Sequence, residues 1–357
     1  MSGAGRAQRL AAGLTMVWYL LRRFAMLVVV VFGAMTVTFV IARVIPKNVA
    51  QIWAGVQGFK ITPDVVAIVT SQYHLNDPLL VQYGYYLRDL LSGQWGTSPV
   101  TGRPVAADIL TYLPNTVELA TTGLLLAVIV SVPIGVVAAR SRNSWLDHLS
   151  RALALIGVAA PTFWVGLLLQ FVFYYTLGWT RDPGGMLSSS VLALSPVRPF
   201  TGLLVLDAAL TGNVPALVDA LNHLALPAVS LALPLVALVS RMTRSSMLEV
   251  LNQDYVRTAR AKGLPEWRLT WRHALRNALL PTVTVLGLST GWLLTGSVVT
   301  ELIFYWPGVG RYAVGAVTSF DFPAVTAYTA LAAVIFSLAN LLTDLMYAYM
   351  DPRIRFG

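Results

Sequence analysis

The chain has 357 residues, 56% of them hydrophobic and only 11% charged, with a mean hydropathy of +0.68 and a net charge of +9. A soluble domain carries roughly a quarter charged residues, so this composition excludes a soluble enzyme and a disordered tail. No cysteine is present, which removes disulfides, thiolate metal sites and cysteine nucleophiles.

A bilayer core needs roughly 20 apolar helical residues to cross it. Six windows free of Asp, Glu, Lys and Arg reach that scale: 24–42, 119–139, 152–180, 220–240, 277–300 and 322–343. The stretch 183–197 is charge-free but short. With Pro183-Gly184-Gly185, three serines and Pro196 it reads as a loop or a surface-packed segment. Arg6, Arg9, Arg22 and Arg23 precede the first window as they would in a signal peptide. That apolar run exceeds the usual 7–15 residues of such a leader and no small-x-small site closes it, so a retained helix is expected.

Lys and Arg accumulate in cytoplasmic segments. With the N-terminus inside, the segments 1–23, 140–151, 241–276 and the tail from 350 hold 17 of the 25 basic residues. This asymmetry accounts for the net charge without nucleic acid. The expectation is an all-α integral membrane protein with six transmembrane helices, both termini cytoplasmic, in the plasma membrane. Its parts are an N-terminal segment and first helix (1–46), an external segment (47–113), a core with five further helices (114–350) and a tail (351–357). Within the core lie an external insertion at about 181–219 and a cytoplasmic loop at 241–276.

Pro133, Pro161, Pro227, Pro234 and Pro281 fall at membrane depth, where each removes a backbone hydrogen bond and invites a kink. Kinked helices around a cavity suit a transporter, although Pro is common in membrane helices generally. Glu118 and Asp344 lie at span ends, and the spans otherwise lack the ionisable residues that mark ion pathways. Coupling to an ion gradient is therefore disfavoured. A phosphate-binding loop is also absent: the three lysines, Lys47, Lys60 and Lys262, precede Asn, Ile and Gly, whereas the motif needs Gly-Lys-Ser/Thr.

The loop 241–276 holds Asp254-Tyr255-Val256-Arg257-Thr258-Ala259-Arg260-Ala261-Lys262-Gly263-Leu264. It reads as a short helix with Asp254 as N-cap and Gly263 as C-terminal stop. Tyr255 and Ala259 share one face with Thr258 beside them, and small Ala259 and Ala261 permit close approach by a partner. The same residues also make an ordinary positive-inside loop, and physics alone leaves both readings open.

This loop, followed by Arg272-His273-Ala274-Leu275-Arg276-Asn277-Ala278-Leu279, resembles the Glu-Ala-Ala…Gly coupling loop of binding-protein-dependent ABC importer permeases, in the form of the dipeptide/oligopeptide branch. Gly263 and Leu275 keep the pattern. Arg276 stands where the pattern has Pro, with Leu280-Pro281 five residues further on, and Arg257 and Thr258 replace its first two letters. Further motifs resemble the family in order and spacing across nearly the whole chain: Tyr19 to Arg23, Pro78-Leu79-Leu80-Val81-Gln82-Tyr83, Gly96-Thr97-Ser98, Gly102-Arg103-Pro104-Val105, Leu113-Pro114-Asn115-Thr116-Val117-Glu118-Leu119, Pro161-Thr162-Phe163-Trp164, Trp306-Pro307-Gly308-Val309-Gly310-Arg311 and Asp351-Pro352-Arg353-Ile354-Arg355. Ile45-Pro46-Lys47-Asn48 departs from the family's Pro-Gly-Asp-Pro.

The resemblance implies the MetI-like permease fold of a type I importer. It also implies a second, homologous permease subunit, an external solute-binding protein and two cytoplasmic ATPases that hold the ATP and Mg, this chain binding no cofactor itself. Residues 254–264 would dock on an ATPase, and the path would carry di- or oligopeptides by alternating access; relatives that carry oligosaccharides or nickel are the alternative. Two other function classes compete with this one. Gly287-Leu288-Ser289-Thr290-Gly291 fits a nucleophile elbow, which would suit a rhomboid-like protease, but the elbow needs a strand-turn-helix and His74, His148, His223 and His273 are expected in loops or at span edges. A channel or scaffold without ATP coupling is the third class. Trp53, Trp95, Trp179 and Trp306 are expected at the membrane interface, and His223 is expected there too, satisfied by water.

Overall fold

The computed structural model describes residues 3–43, 49–50 and 62–350, with side chains from residue 21 onward except at 65, 72, 295–296 and 344–350. Lys47, Trp53, Lys60, the 45–48 departure and the 351–355 motif therefore lie outside the described residues, as does the Asp344 side chain. The helices run in order α1 (Gly3–Arg43), α2 (Pro63–Gln72), α3 (Leu79–Leu91), α4 (Val105–Arg140), α5 (Trp145–Ala159) and α6 (Thr162–Leu169). A π-helical stretch, Gln170–Thr176, extends α6. Then come α7 (Ser189–Leu194), α8 (Leu204–Leu210), α9 (Val214–Leu251), α10 (Asp254–Ala261), α11 (Leu275–Gly296), α12 (Val298–Ile303), α13 (Val309–Thr318) and α14 (Phe322–Met350). The described residues contain no strand beyond one isolated antiparallel bridge, Thr97 to Pro104.

Five stretches are long and apolar enough to cross a membrane: Leu21–Arg43, Val105–Arg140, Val214–Leu251, Glu266–Leu294 and Phe322–Thr343. The third of the six expected spans differs. It is the pair Trp145–Ala159 and Thr162–Thr176, bent by 108°, because Pro161 cannot donate the next helical hydrogen bond and disfavours helical geometry at Ala160. The other four prolines at membrane depth lie inside uninterrupted helices, so a break at every proline does not follow. Helix α9 runs past the charge-free window at both ends and takes in residues 214–219 and 241–251 as helix.

Two compact units divide the chain. In the first (residues 1–116, 307–341 and 353–357), Val105, Ile109, Val309, Ala316, Ala324 and Ala327 form the buried core. The motifs there tie chain crossings together. Gln82 donates to the carbonyls of Leu75 (3.2 Å) and Asp77 (2.8 Å) and accepts from Arg43 (3.2 Å). Ser98 donates to Asp321, Asn115 donates to the Pro307 carbonyl (2.8 Å), and the Thr116 hydroxyl accepts from the Val309 amide (2.8 Å).

In the second unit (residues 117–306 and 342–352), one cluster gathers Leu119, Ala127, Leu224, Leu231, Leu235, Leu293 and Trp306. Trp306 is thus a core residue at 1% exposure, not an interfacial one. Trp179, by contrast, is exposed. Glycines set the closest helix crossings in this unit. A Cβ on Gly135 would meet Thr243 Cβ at 2.7 Å and the Ser240 carbonyl at 2.8 Å; one on Gly287 would meet Thr343 at 2.7 Å. Gly287 therefore serves close packing. Ser289, within α11, spends its hydroxyl on the Val285 carbonyl (2.7 Å), which is not the setting of a nucleophile elbow.

Replacing Gly135 by Leu is expected to cost about 1–3 kcal/mol through overpacking against α9. Thermal unfolding in detergent checks this, with Gly315→Ala, whose Cβ position is open, as a control that keeps wild-type stability.

Candidate functional site: the 254–264 segment and its brace

Helix α10 begins after Gln253, not after Asp254: Gln253 holds the extended N-cap conformation (φ −75°, ψ 152°), and Asp254 is the first helical residue. The Asp254 side chain is almost fully exposed and faces Arg257 at 3.7 Å. An acid in the first turn still suits the positive end of the helix, but the capping role assigned from sequence does not hold. The far end stops as expected. Gly263 adopts φ +76°; its amide donates to the Arg260 carbonyl (3.0 Å) and the Leu264 amide to that of Ala259 (3.2 Å). This paired pattern is a Schellman motif, which needs a left-handed residue that glycine supplies without strain.

The short helix is two-sided. Val256 is completely buried, Ala259 and Leu264 are partly covered, and Asp254, Arg257, Thr258, Arg260, Ala261, Lys262 and Gly263 are exposed. Tyr255 is also exposed, yet its hydroxyl accepts a hydrogen bond from Asn277 (2.9 Å), so the ring is held rather than free. Arg260 forks onto Glu266 (2.5 and 3.2 Å) and closes the loop after Gly263. That bidentate pair raises the guanidinium pKa.

Behind α10 lies the single turn Glu266–Arg268, followed by the π-helical turn Leu269–Ala274, which leads straight into α11. Helix α10 packs on this π-helical turn. Ala274, Leu275 and Ala278 then share a buried cluster with Val136 and Ala139 from the end of α4 and with Met247 and Val250 from the end of α9. Residues 254–264 are thereby linked to three long helices through apolar packing.

A buried ion pair fixes the same end of the unit. The Asp147 side chain is fully buried on α5 and takes both arms of Arg244 from α9 (2.5 and 2.9 Å), the Asn143 amide (3.0 Å) and, at 3.8 Å, Arg151. Ser144 caps α5 by accepting from the Asp147 amide. From the sequence, Asp147 and Arg244 are only members of a charge tally.

Buried carboxylates also organise the insertion at 181–219. Glu118 accepts from the amides of Leu204 (3.1 Å) and Val205 (2.6 Å). Asp219 takes Arg181 (2.6 Å) and the amide and hydroxyl of Ser188 (2.7 and 2.9 Å). Burial works to raise the Asp207 pKa, but the hydroxyl of Thr201 and the amides of Phe200, Thr201 and Gly202 overcome it and hold the carboxyl below its ordinary range. Its contribution to stability is therefore present at neutral pH and lost as acid protonates it. His223 lies inside α9, buried, with Nδ1 against the Asp219 carbonyl (2.8 Å), and is not an interfacial residue satisfied by water. For Asp207 a signal was present in the Thr201-Gly202 pair that precedes it; Asp219, between Val218 and Ala220, had none.

Removing the Asp147 carboxylate leaves Arg244 largely buried without its partner, which typically costs about 3–5 kcal/mol. Asp147→Ala should accordingly lower the unfolding temperature in detergent sharply. The double substitution Asp147→Leu, Arg244→Met should recover most of the loss.

Residues 131–356 match the family described as binding-protein-dependent transport system inner membrane component, and residues 16–120 match the N-terminal region of such membrane components. The dipeptide transport system permease protein of Alkalihalophilus pseudofirmus is 42% identical over 96% of this chain and 100% of its own length. The probable D,D-dipeptide transport system permease protein of Escherichia coli K12 is 43% identical over 95% of this chain and 98% of its own. The oligopeptide transport system permease protein of Bacillus subtilis is 38% identical over 95% and 99%. The apolar helices and this match make the chain a multi-pass plasma-membrane protein with the fold of a type I importer permease. It belongs to the inner-membrane permease components of binding-protein-dependent ABC importers.

Proposed function

We propose that the chain forms one half of the translocation path of an ATP-driven importer of di- and oligopeptides, with both termini in the cytoplasm. Relatives over nearly full length are named as dipeptide and oligopeptide permeases, which supports peptides over oligosaccharides or nickel. A second, homologous permease subunit completes the path, an external binding protein delivers the solute, and two cytoplasmic ATPases hold ATP and Mg. The long external segment and the insertion at 181–219 face the binding protein.

The observation that carries this reading is the two-sidedness of α10. The helix packs on the π-helical turn and buries Val256, while its outer side is a short, small-residue, basic surface ending at Gly263. A helix seated on one side and open on the other transmits displacement when a partner grips it. Closure of the ATPase pair on ATP would push α10, and the cluster behind it would pass the motion to α4, α9 and α11, opening the path outward; hydrolysis would reset it.

Two experiments test the reading. Space around a Cβ on Gly263 is open, and Asp tolerates a left-handed backbone better than most residues. Gly263→Asp should consequently leave membrane abundance unchanged but abolish peptide uptake and copurification of the ATPases; normal uptake would remove the docking role. Because the chain has no cysteine, Arg260→Cys gives a single label site, expected to react with an impermeant maleimide only in inside-out vesicles.

A further inference from the structure

Helices α4, α5 and α9 enclose a groove of about 380 Å³ beside the Asp147–Arg244 pair. Its walls are apolar: Ala138 from α4, with Ala154 and Val158 from α5. Its rim carries three arginines, Arg151, Arg241 and Arg244. Asp147 supplies one negative charge, shared between Arg244 and the more distant Arg151. Arg151 also meets His148 Nδ1 at 2.6 Å. Arg241 is exposed, and among the described residues it forms neither an ion pair nor a hydrogen bond.

Three cations against one carboxylate leave the rim positive, while the interior offers almost nothing polar. The level of the rim in the membrane is marked independently. Trp145, 70% exposed, opens α5 one residue after its Ser144 cap, as an interfacial aromatic anchor does. Further along the same helix Leu149, Leu153 and Leu155 are exposed to the surroundings. An occupant must therefore present an anion at headgroup level and hydrocarbon below it. Basic pockets between transmembrane helices on the cytoplasmic side have this character, because that leaflet is rich in anionic lipid.

We propose that this groove binds one anionic phospholipid of the inner leaflet, its phosphate held by Arg241 and Arg151 and an acyl chain lying between α5 and the α4–α9 crossing. Long arginine side chains reach the headgroup plane while their stems cover apolar surface. A transmembrane helix from a neighbouring chain would fill the same apolar walls but leave the unpaired cation of Arg241 without an anion, so charge complementarity selects the lipid. The bound lipid would brace α5 against α9 next to the Asp147–Arg244 pair. The proposal rests on the cytoplasmic placement of this end, which the Arg260→Cys labelling tests separately.

The test uses the assembled transporter extracted in mild detergent, with lipids counted by native mass spectrometry after exposure to phosphatidylglycerol or phosphatidylethanolamine. Selective retention of phosphatidylglycerol is expected. Arg241→Gln should weaken it roughly fivefold, the factor that one surface arginine contributes. Ala154→Trp, which fills the groove, should abolish it. If Ala154→Trp fails to assemble, Arg241→Gln and the wild-type lipid preference decide alone. Equal retention of the two lipids, or unchanged retention in Arg241→Gln, overturns the proposal. A photo-crosslinker at Leu155 in intact membranes gives an independent reading: attachment to phospholipid supports the site, and attachment to another polypeptide overturns it.

Discussion

A carboxylate taken out of water must find its counter-charge or hydrogen-bond donors within the protein, since hydrocarbon supplies neither. That constraint shapes the second unit at each of its loop-bearing ends. Asp147 gathers Arg244, Arg151 and the Asn143 amide, locking the short connection after α4 to the last turns of α9. Glu118 and Asp219 gather backbone amides, a hydroxyl and Arg181, so that the long insertion is pinned to α4 and α9. These buried acids do not line a conducting wire; they staple polar segments onto a bundle whose helices have few other polar contacts to offer.

Much of this was legible in the sequence, for a simple reason. Hydrophobic windows read out the bilayer thickness directly, so five spans and the broken sixth fall where charge-free stretches predict. The Gly263 stop was legible because few residues other than glycine take a left-handed backbone without cost. What was not legible depended on contacts between distant residues. Trp306 looks like an interfacial anchor until the α4–α9 packing closes over it. His223 sits three residues inside a charge-free window, and nothing local says that Asp219 one turn earlier will share its burial. The Asp147–Arg244 pair spans 97 positions and is invisible to any window. Proline misled in the opposite direction: helices α9 and α11 absorb Pro227, Pro234 and Pro281 without interruption, and Pro161 alone of the five breaks its helix.

The family motifs acquire physical content from the same contacts. Gln82, Ser98, Asn115 and Thr116 sit in three short motifs, and each joins segments distant in sequence: Gln82 accepts from Arg43, Ser98 donates to the Asp321 carboxylate, Asn115 donates to the Pro307 carbonyl and Thr116 accepts from the Val309 amide. The motif at 254–264 is of another kind: apart from the Tyr255–Asn277 bond it spends its hydrogen bonds locally, and it leaves one surface uncommitted.

The π-helical turn Leu269–Ala274 has a consequence for how that uncommitted surface connects to the bilayer. Buried positions recur there at five-residue intervals, Leu269 with Ala274 and Thr270 with Leu275, whereas in an ordinary α-helix such residues would point roughly 140° apart. The wider turn inserts a phase slip, so that a polar, amphipathic stretch governed by water and an apolar stretch governed by lipid can show the same interior stripe without any bend or linker between them. Two periodicities set by two solvents are thereby reconciled in one uninterrupted rod, which is what a stiff mechanical linkage across the membrane surface requires.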